Sequence, residues 1–107
     1  MLERKIFYKL EIVEEAQLEI TEAYSYYESK QFGLGEKFLK ELDQYFEEII
    51  ESPKHFEIKN KNYREAYIRR FPYLIIFEIE EQKIVVYSVF NTPQDPAKKA
   101  QIKRPQK

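Results

Sequence analysis

Cysteine and tryptophan are absent from the 107 residues, and histidine occurs once, as His55. Without cysteine there is neither a disulfide framework nor a thiolate metal site, which suits a reducing compartment. A lone histidine argues against a histidine-rich metal centre. Glycine occurs only as Gly33 and Gly35, which leaves no glycine-rich loop to cradle a phosphate. No apolar run approaches the length of a membrane span, and the first residues lack the apolar core of a secretory signal. The cytoplasm is the expected location, with no metal, cofactor, membrane or small-molecule partner.

What is present is a chain that is 43% apolar, enough for one domain with a modest core. Its net charge of −1 conceals a polarity. Residues 11–51 carry twelve acidic and three basic side chains, whereas residues 54–107 carry six acidic and twelve basic ones. Acidic helices with solvated faces account for the first half. A basic sheet and tail that meet an acidic partner or a polyanion are the alternative reading of the second.

The stretch Arg69-Arg70-Phe71-Pro72-Tyr73-Leu74-Ile75-Ile76-Phe77 organises the rest. Pro72 fixes its own φ and pushes Phe71 out of the helical region, so a corner between two extended segments is expected. A second β-rich run, Lys83 to Phe90, follows the polar connector Glu80-Glu81-Gln82, and the three strands predict an antiparallel meander. Near the start, Lys5 to Ile12 alternates and reads as a first strand beside that meander. Ala16, Ile20, Ala23, Tyr24 and Tyr27 share one face of a helix over about 14–30. Leu34, Phe38, Leu42, Tyr45, Phe46 and Ile49 do the same for a second helix that ends before Pro53. Gly33 and Gly35 form the joint. Ser52 to Tyr63 reads as a loop, Thr92 to Pro96 as a turn, and residues 97–107 as a flexible basic tail. The expected fold is α+β, order β-α-α-β-β-β, with a helical hairpin packed on one face of a small antiparallel sheet.

Together, Glu22-Ala23-Tyr24, Tyr26-Tyr27-Glu28, Gly33-Leu34-Gly35, Phe38-Leu39, Glu41-Leu42-Asp43, Pro53, the Arg69-to-Tyr73 corner, Val89-Phe90 and Asp95-Pro96 resemble the ParE/RelE superfamily of bacterial toxins, on the ParE side. The resemblance covers roughly residues 6 to 96, with the toxin domain then spanning 1–96. It implies the toxin of a type II toxin–antitoxin pair, of the plasmid-stabilisation kind, neutralised by a small, largely disordered antitoxin. ParE-like members inhibit DNA gyrase by binding and need no catalytic residues. RelE-like members instead cleave messenger RNA on the ribosome, with basic residues on the second and last strands and a histidine or tyrosine beyond the last strand. A toxin-derived protein that only binds a partner is a third possibility.

Candidate residues follow from both lines. Arg64, Arg69 and Arg70 are placed on the second strand, with Arg64 and Arg70 on one face and Arg69 on the other. A guanidinium on a rigid strand can grip a carboxylate or phosphate in a bidentate manner, against the plainer reading of an ion pair with a helix carboxylate. Tyr73, Tyr87 and Asn91 complete the expected target- or partner-binding set. Arg70 and Tyr87 are the only candidates for catalysis. Asn91 and Thr92 stand where the resemblance would put an acid or a stacking ring, and neither transfers protons well near neutral pH. The carboxylate pairs Glu47-Glu48 and Glu80-Glu81 point to different sides, and His55 has no partner at a telling spacing.

Overall fold

The structure, a computed structural model, describes residues 7–92. Its elements are β1 (Lys9–Ile12), α1 (Glu14–Lys30), α2 (Leu34–Glu51), β2 (Ile58–Asn60), β3 (Tyr63–Tyr67), β4 (Tyr73–Glu80) and β5 (Lys83–Asn91). A short 3-10 turn, Pro53–His55, follows α2. The five strands form one sheet in the order β1-β5-β4-β3-β2.

Two expectations need correction. The sheet is mixed, because β1 runs parallel to β5 while every other pair is antiparallel. A parallel neighbour requires a long crossover, and the two helices that follow β1 begin one. The segment read as a plain loop also contains β2. All three of its side chains are exposed, so no alternation announces it. Backbone pairing makes the strand instead, across a tight turn at Lys61-Asn62 in which Lys61 takes a φ of 53°. The first strand starts at Lys9, and its expected beginning at Lys5 and Ile6 lies outside the described residues, as do Pro93 to Pro96 of the expected turn and the basic tail.

The helices follow from their patterns. Glu14 and Glu15 lie in the first turn of α1 and Lys30 in its last, each at the favourable end of the helix dipole. Helix α1 buries two alanines, Ala16 and Ala23, while α2 buries Phe38, Leu42, Phe46 and Ile49. Small residues on one helix and large ones on the other let the pair share a single core with the sheet.

The joint between the helices rests on one carboxylate. Glu28 Oε2 accepts the Gly33 N–H and Glu28 Oε1 the Gly35 N–H, both at 2.9 Å. These are among the donors that the first turn of a helix leaves unpaired, and no capping side chain precedes α2 to take them. Gly33 takes a φ of 86°, a conformation that glycine adopts without strain. Gly35 is needed for space: a Cβ there would lie 2.8 Å from both the Tyr24 carbonyl oxygen and the Tyr24 ring.

The sheet is apolar on both faces. Ile75, Phe77, Ile84, Val86 and Val89 belong to the cluster that includes Phe38, Leu42, Phe46 and Ile49, as the helical and strand periods require. Leu74, Ile76 and Phe90 form a second cluster with Tyr63. An irregularity in β5 adjusts the alternation between them. Ile76 pairs with Ser88 but Phe77 pairs with Val86, so Tyr87 is an extra residue in its strand. After it, Val89 belongs to the helix-side cluster and Phe90 to the other. Glu19 of α1 reaches this bulge: its Oε1 accepts the Val89 N–H at 3.0 Å and the Ser88 hydroxyl at 2.9 Å. Burial raises the Glu19 pKa above the ordinary carboxylate value, and the two hydrogen bonds pull it back in part.

Three measurements check this arrangement. Leu42 is 2% exposed, so Leu42→Ala should cost about 2–5 kcal/mol in denaturant unfolding. Gly35→Ala gains about 1 kcal/mol of helix propensity. It meets an overpacking cost of ~1–3 kcal/mol against a backbone oxygen that cannot rotate away, so a net loss of stability is expected. Glu19 binds its proton more tightly in the folded protein than in the unfolded chain. The stability that this gives is complete below the unfolded pKa near 4.5 and is lost as pH rises through the higher folded value. Glu19→Gln keeps an acceptor without the charge, so the stability of the wild type relative to Glu19→Gln should fall over that window. A difference that is flat with pH would dismiss the linkage.

Candidate functional site

The candidate site is the corner between β3 and β4, where the chain reverses through Ile68 to Pro72 and presents two arginines. It is tied on every side. The Tyr73 N–H donates to the Phe71 carbonyl at 2.7 Å, a tight turn around Pro72. The Ile68 N–H donates to the Tyr73 carbonyl at 3.0 Å. From the end of β5, Thr92 gives both its N–H, at 2.8 Å, and its hydroxyl, at 3.1 Å, to the Pro72 carbonyl. From α2, Glu41 accepts the Arg70 N–H at 2.9 Å.

Beneath the corner lies an aromatic cluster. The Phe71 ring centroid is 4.9 Å from that of Tyr27 and 5.3 Å from that of Phe38, in edge-to-face geometries. Tyr73 lies 5.2 Å from Phe38 and 6.2 Å from Tyr27. Burial, followed by the neighbouring Tyr27, pushes the Tyr73 hydroxyl up to about 12. The Tyr27 hydroxyl is raised as well, chiefly by burial. Both are therefore neutral near pH 7 and serve as packing groups.

The arginines stand outside this cluster. Arg69 and Arg70 lie in the corner and not on a strand, which corrects the expectation, because β3 ends at Tyr67. The Arg70 side chain is 85% exposed and its Nε sits 3.7 Å from Glu41 Oε1. That long pair is open to water on the Arg70 side and contributes little to stability, and the backbone bond to Glu41 does the holding. Asn91 pairs with Tyr73 across the β4–β5 ladder, and its Oδ1 is buried with no hydrogen-bond partner among the described residues.

The corner thus brings together Arg69, Arg70, Tyr73 and Asn91 of the expected set. Arg64 and Tyr87 lie elsewhere. Arg64, paired with Phe77 on the helix side, donates from Nη1 to the Phe56 carbonyl at 2.6 Å and pins the segment after α2 to the sheet. The Tyr87 ring lies edge-on to Tyr63 at 5.5 Å, with its hydroxyl 3.5 Å from Glu80 Oε2. His55 is exposed in the 3-10 turn and contacts the Phe56 ring. Neither His55 nor Tyr87 lies beside Arg70; the ionisable side chain that does is the Glu41 carboxylate, 3.7 Å from Arg70 Nε. Sequence reasoning missed Glu19, and it placed Glu28 and Glu41 only among the residues of the resemblance; the carboxylates of all three serve as fixed acceptors. Their helical positions looked like those of any solvated acid. No group of acidic, histidine or cysteine side chains among the described residues is placed to hold a metal ion.

Comparison with known proteins agrees with this architecture. The family model for the ParE toxin of type II toxin–antitoxin systems, parDE, matches residues 10–96. Among solved structures, the chromosomal ParDE toxin–antitoxin system from P. aeruginosa is similar with a TM-score of 0.70 at 12% identity, covering 81% of this chain and 98% of that one. At that identity the likeness establishes the shared fold. No curated protein matches the sequence. The family match spans both helices, the corner and all five strands, and on that ground the chain belongs to the ParE toxin family of type II toxin–antitoxin systems.

Proposed function

We propose that this ParE-family toxin acts by binding DNA gyrase and inhibiting it, in the cytoplasm, and that a cognate antitoxin neutralises it. The observation that carries the reading is the corner itself: two cationic side chains on a rigid, aromatic-backed turn, with the expected catalytic phenol, Tyr87, placed elsewhere beside Tyr63. Such a surface recognises a partner without breaking a bond in it. Ribosome-dependent cleavage of messenger RNA would ask more of this site, since a general acid and base supply a large part of that rate.

Neutralisation draws on other parts of the sheet. The outer edge of β2 offers backbone groups to an added strand, with Ile58 exposed along it. A disordered antitoxin segment can pair there or cover the apolar groups beyond, as β-augmentation and helix-in-groove binders do.

Brief expression of the protein, with ribosomal cut sites in messenger RNA and gyrase-dependent DNA supercoiling both followed, tests the mechanism. Loss of supercoiling without codon-phased cleavage is the expected result. Codon-phased cleavage that Arg70→Ala abolishes, with supercoiling untouched, would replace this reading with that of a ribonuclease.

A further inference from the structure

The tip of the helical hairpin presents side chains that the fold does not use. Phe32 is 95% exposed, the most exposed of the large apolar residues described, and Tyr26 is 55% exposed. Leaving a phenyl ring in water forgoes the stabilisation that burial would return. Phe32 is also not on a loose loop. Its neighbour Gly33 is held by Glu28, Gln31 donates its N–H to Tyr27 at 3.1 Å, and the Leu34 N–H donates to the Gln31 carbonyl at 3.0 Å. Beside it, Lys30 Nζ lies 5.2 Å from the centre of the Tyr26 ring.

This tip and the arginine corner lie at the same end of the molecule. Phe71 touches Tyr27 near the end of α1 and Phe38 near the start of α2, so the corner packs across the hairpin within about two turns of Phe32. One end therefore carries two exposed rings, Phe32 and Tyr26, flanked by Lys30, Arg69 and Arg70. Aromatic anchors with arginine at the rim are the composition of a protein-binding hot spot. Nucleic acid fits less well. Glu28, Glu36 and Glu41 interrupt these cations, so they form no continuous basic groove for a phosphate backbone to track, whereas a single carboxylate needs only one exposed guanidinium such as Arg69 or Arg70.

We propose that this end is the surface by which the toxin grips its target. Phe32 enters an apolar pocket of a folded protein, and carboxylates around that pocket pair with Arg69, Arg70 and Lys30. The proposal rests on the toxin reading above, and it does not depend on gyrase being the target. Phe32→Glu and Arg69→Glu change exposed side chains and should leave the thermal midpoint unchanged. In cells, Phe32→Glu should raise the expression needed for growth arrest at least tenfold. Arg69→Glu should weaken arrest less, and Phe32→Leu should retain most of it.

Purified gyrase and a labelled single-stranded oligonucleotide separate the outcomes. If the wild type arrests growth without inhibiting supercoiling while Phe32→Glu is inert, the gyrase reading falls and the docking surface stands. If the wild type inhibits supercoiling and Phe32→Glu inhibits it equally, the docking surface is wrong and the gyrase reading stands. Oligonucleotide binding that Phe32→Glu abolishes would replace the protein target with a nucleic acid. Full arrest by Phe32→Glu that the antitoxin encoded beside the toxin no longer relieves would assign the tip to that antitoxin. A folded wild type that never arrests growth would overturn both readings.

Discussion

The bond from Glu19 to the β5 bulge is the constraint on which the layers depend. A bulge frees a backbone N–H, and burying that donor without a partner would cost roughly 1–3 kcal/mol. Glu19 crosses from the helical layer to supply the acceptor, so the irregular strand and α1 are fixed against each other by a bond spanning 70 positions of sequence. The bulge is worth its cost because it resets the alternation. Val89 joins the helix-side core and Phe90 the other cluster, which lets β5 serve two apolar groups along one strand.

The same device recurs where the chain changes direction. Glu28 closes the helix joint and Glu41 ties the arginine corner to α2. In each case a carboxylate on a helix accepts backbone N–H groups of a segment that regular structure leaves unpaired. Such bonds are stronger than neutral ones and set orientation more sharply than apolar contact can. The corner can consequently expose Arg69 and Arg70 on a rigid base, which lowers the entropic cost of meeting a partner.

How much of this could be read in advance depended on which physical signal each part carries. The helices were legible because Ala16, Ala23, Phe38, Leu42, Phe46 and Ile49 repeat with the helical period and are all buried. The β4–β5 pair announced itself through its β-branched and aromatic runs, and Pro72 announced the corner. By contrast β2 has three exposed side chains and exists through backbone pairing alone, which composition does not register. Arg69 and Arg70 were assigned to a strand because apolar Ile68 extends the pattern past Tyr67, where the pairing stops. The parallel partner of β1 was invisible, since direction is decided by the crossover and not by the strand. At the site, charge and aromaticity pointed to the corner, yet the burial of Tyr73 and the withdrawal of Arg64 to Phe56 could only come from three dimensions.

The strand order has a consequence for the time at which this protein becomes competent. β5 follows the other four strands in the chain, yet it lies inside the sheet, between β1 and β4. β1 is made before β5 and has no edge to join until then, and α1 waits for the segment that Glu19 must hold. Local pairing of β3 with β4 can precede it, but the helical layer has only half a floor until β5 arrives. The architecture thereby delays the finished sheet, and the layer of helices that rests on it, until β5 has been made.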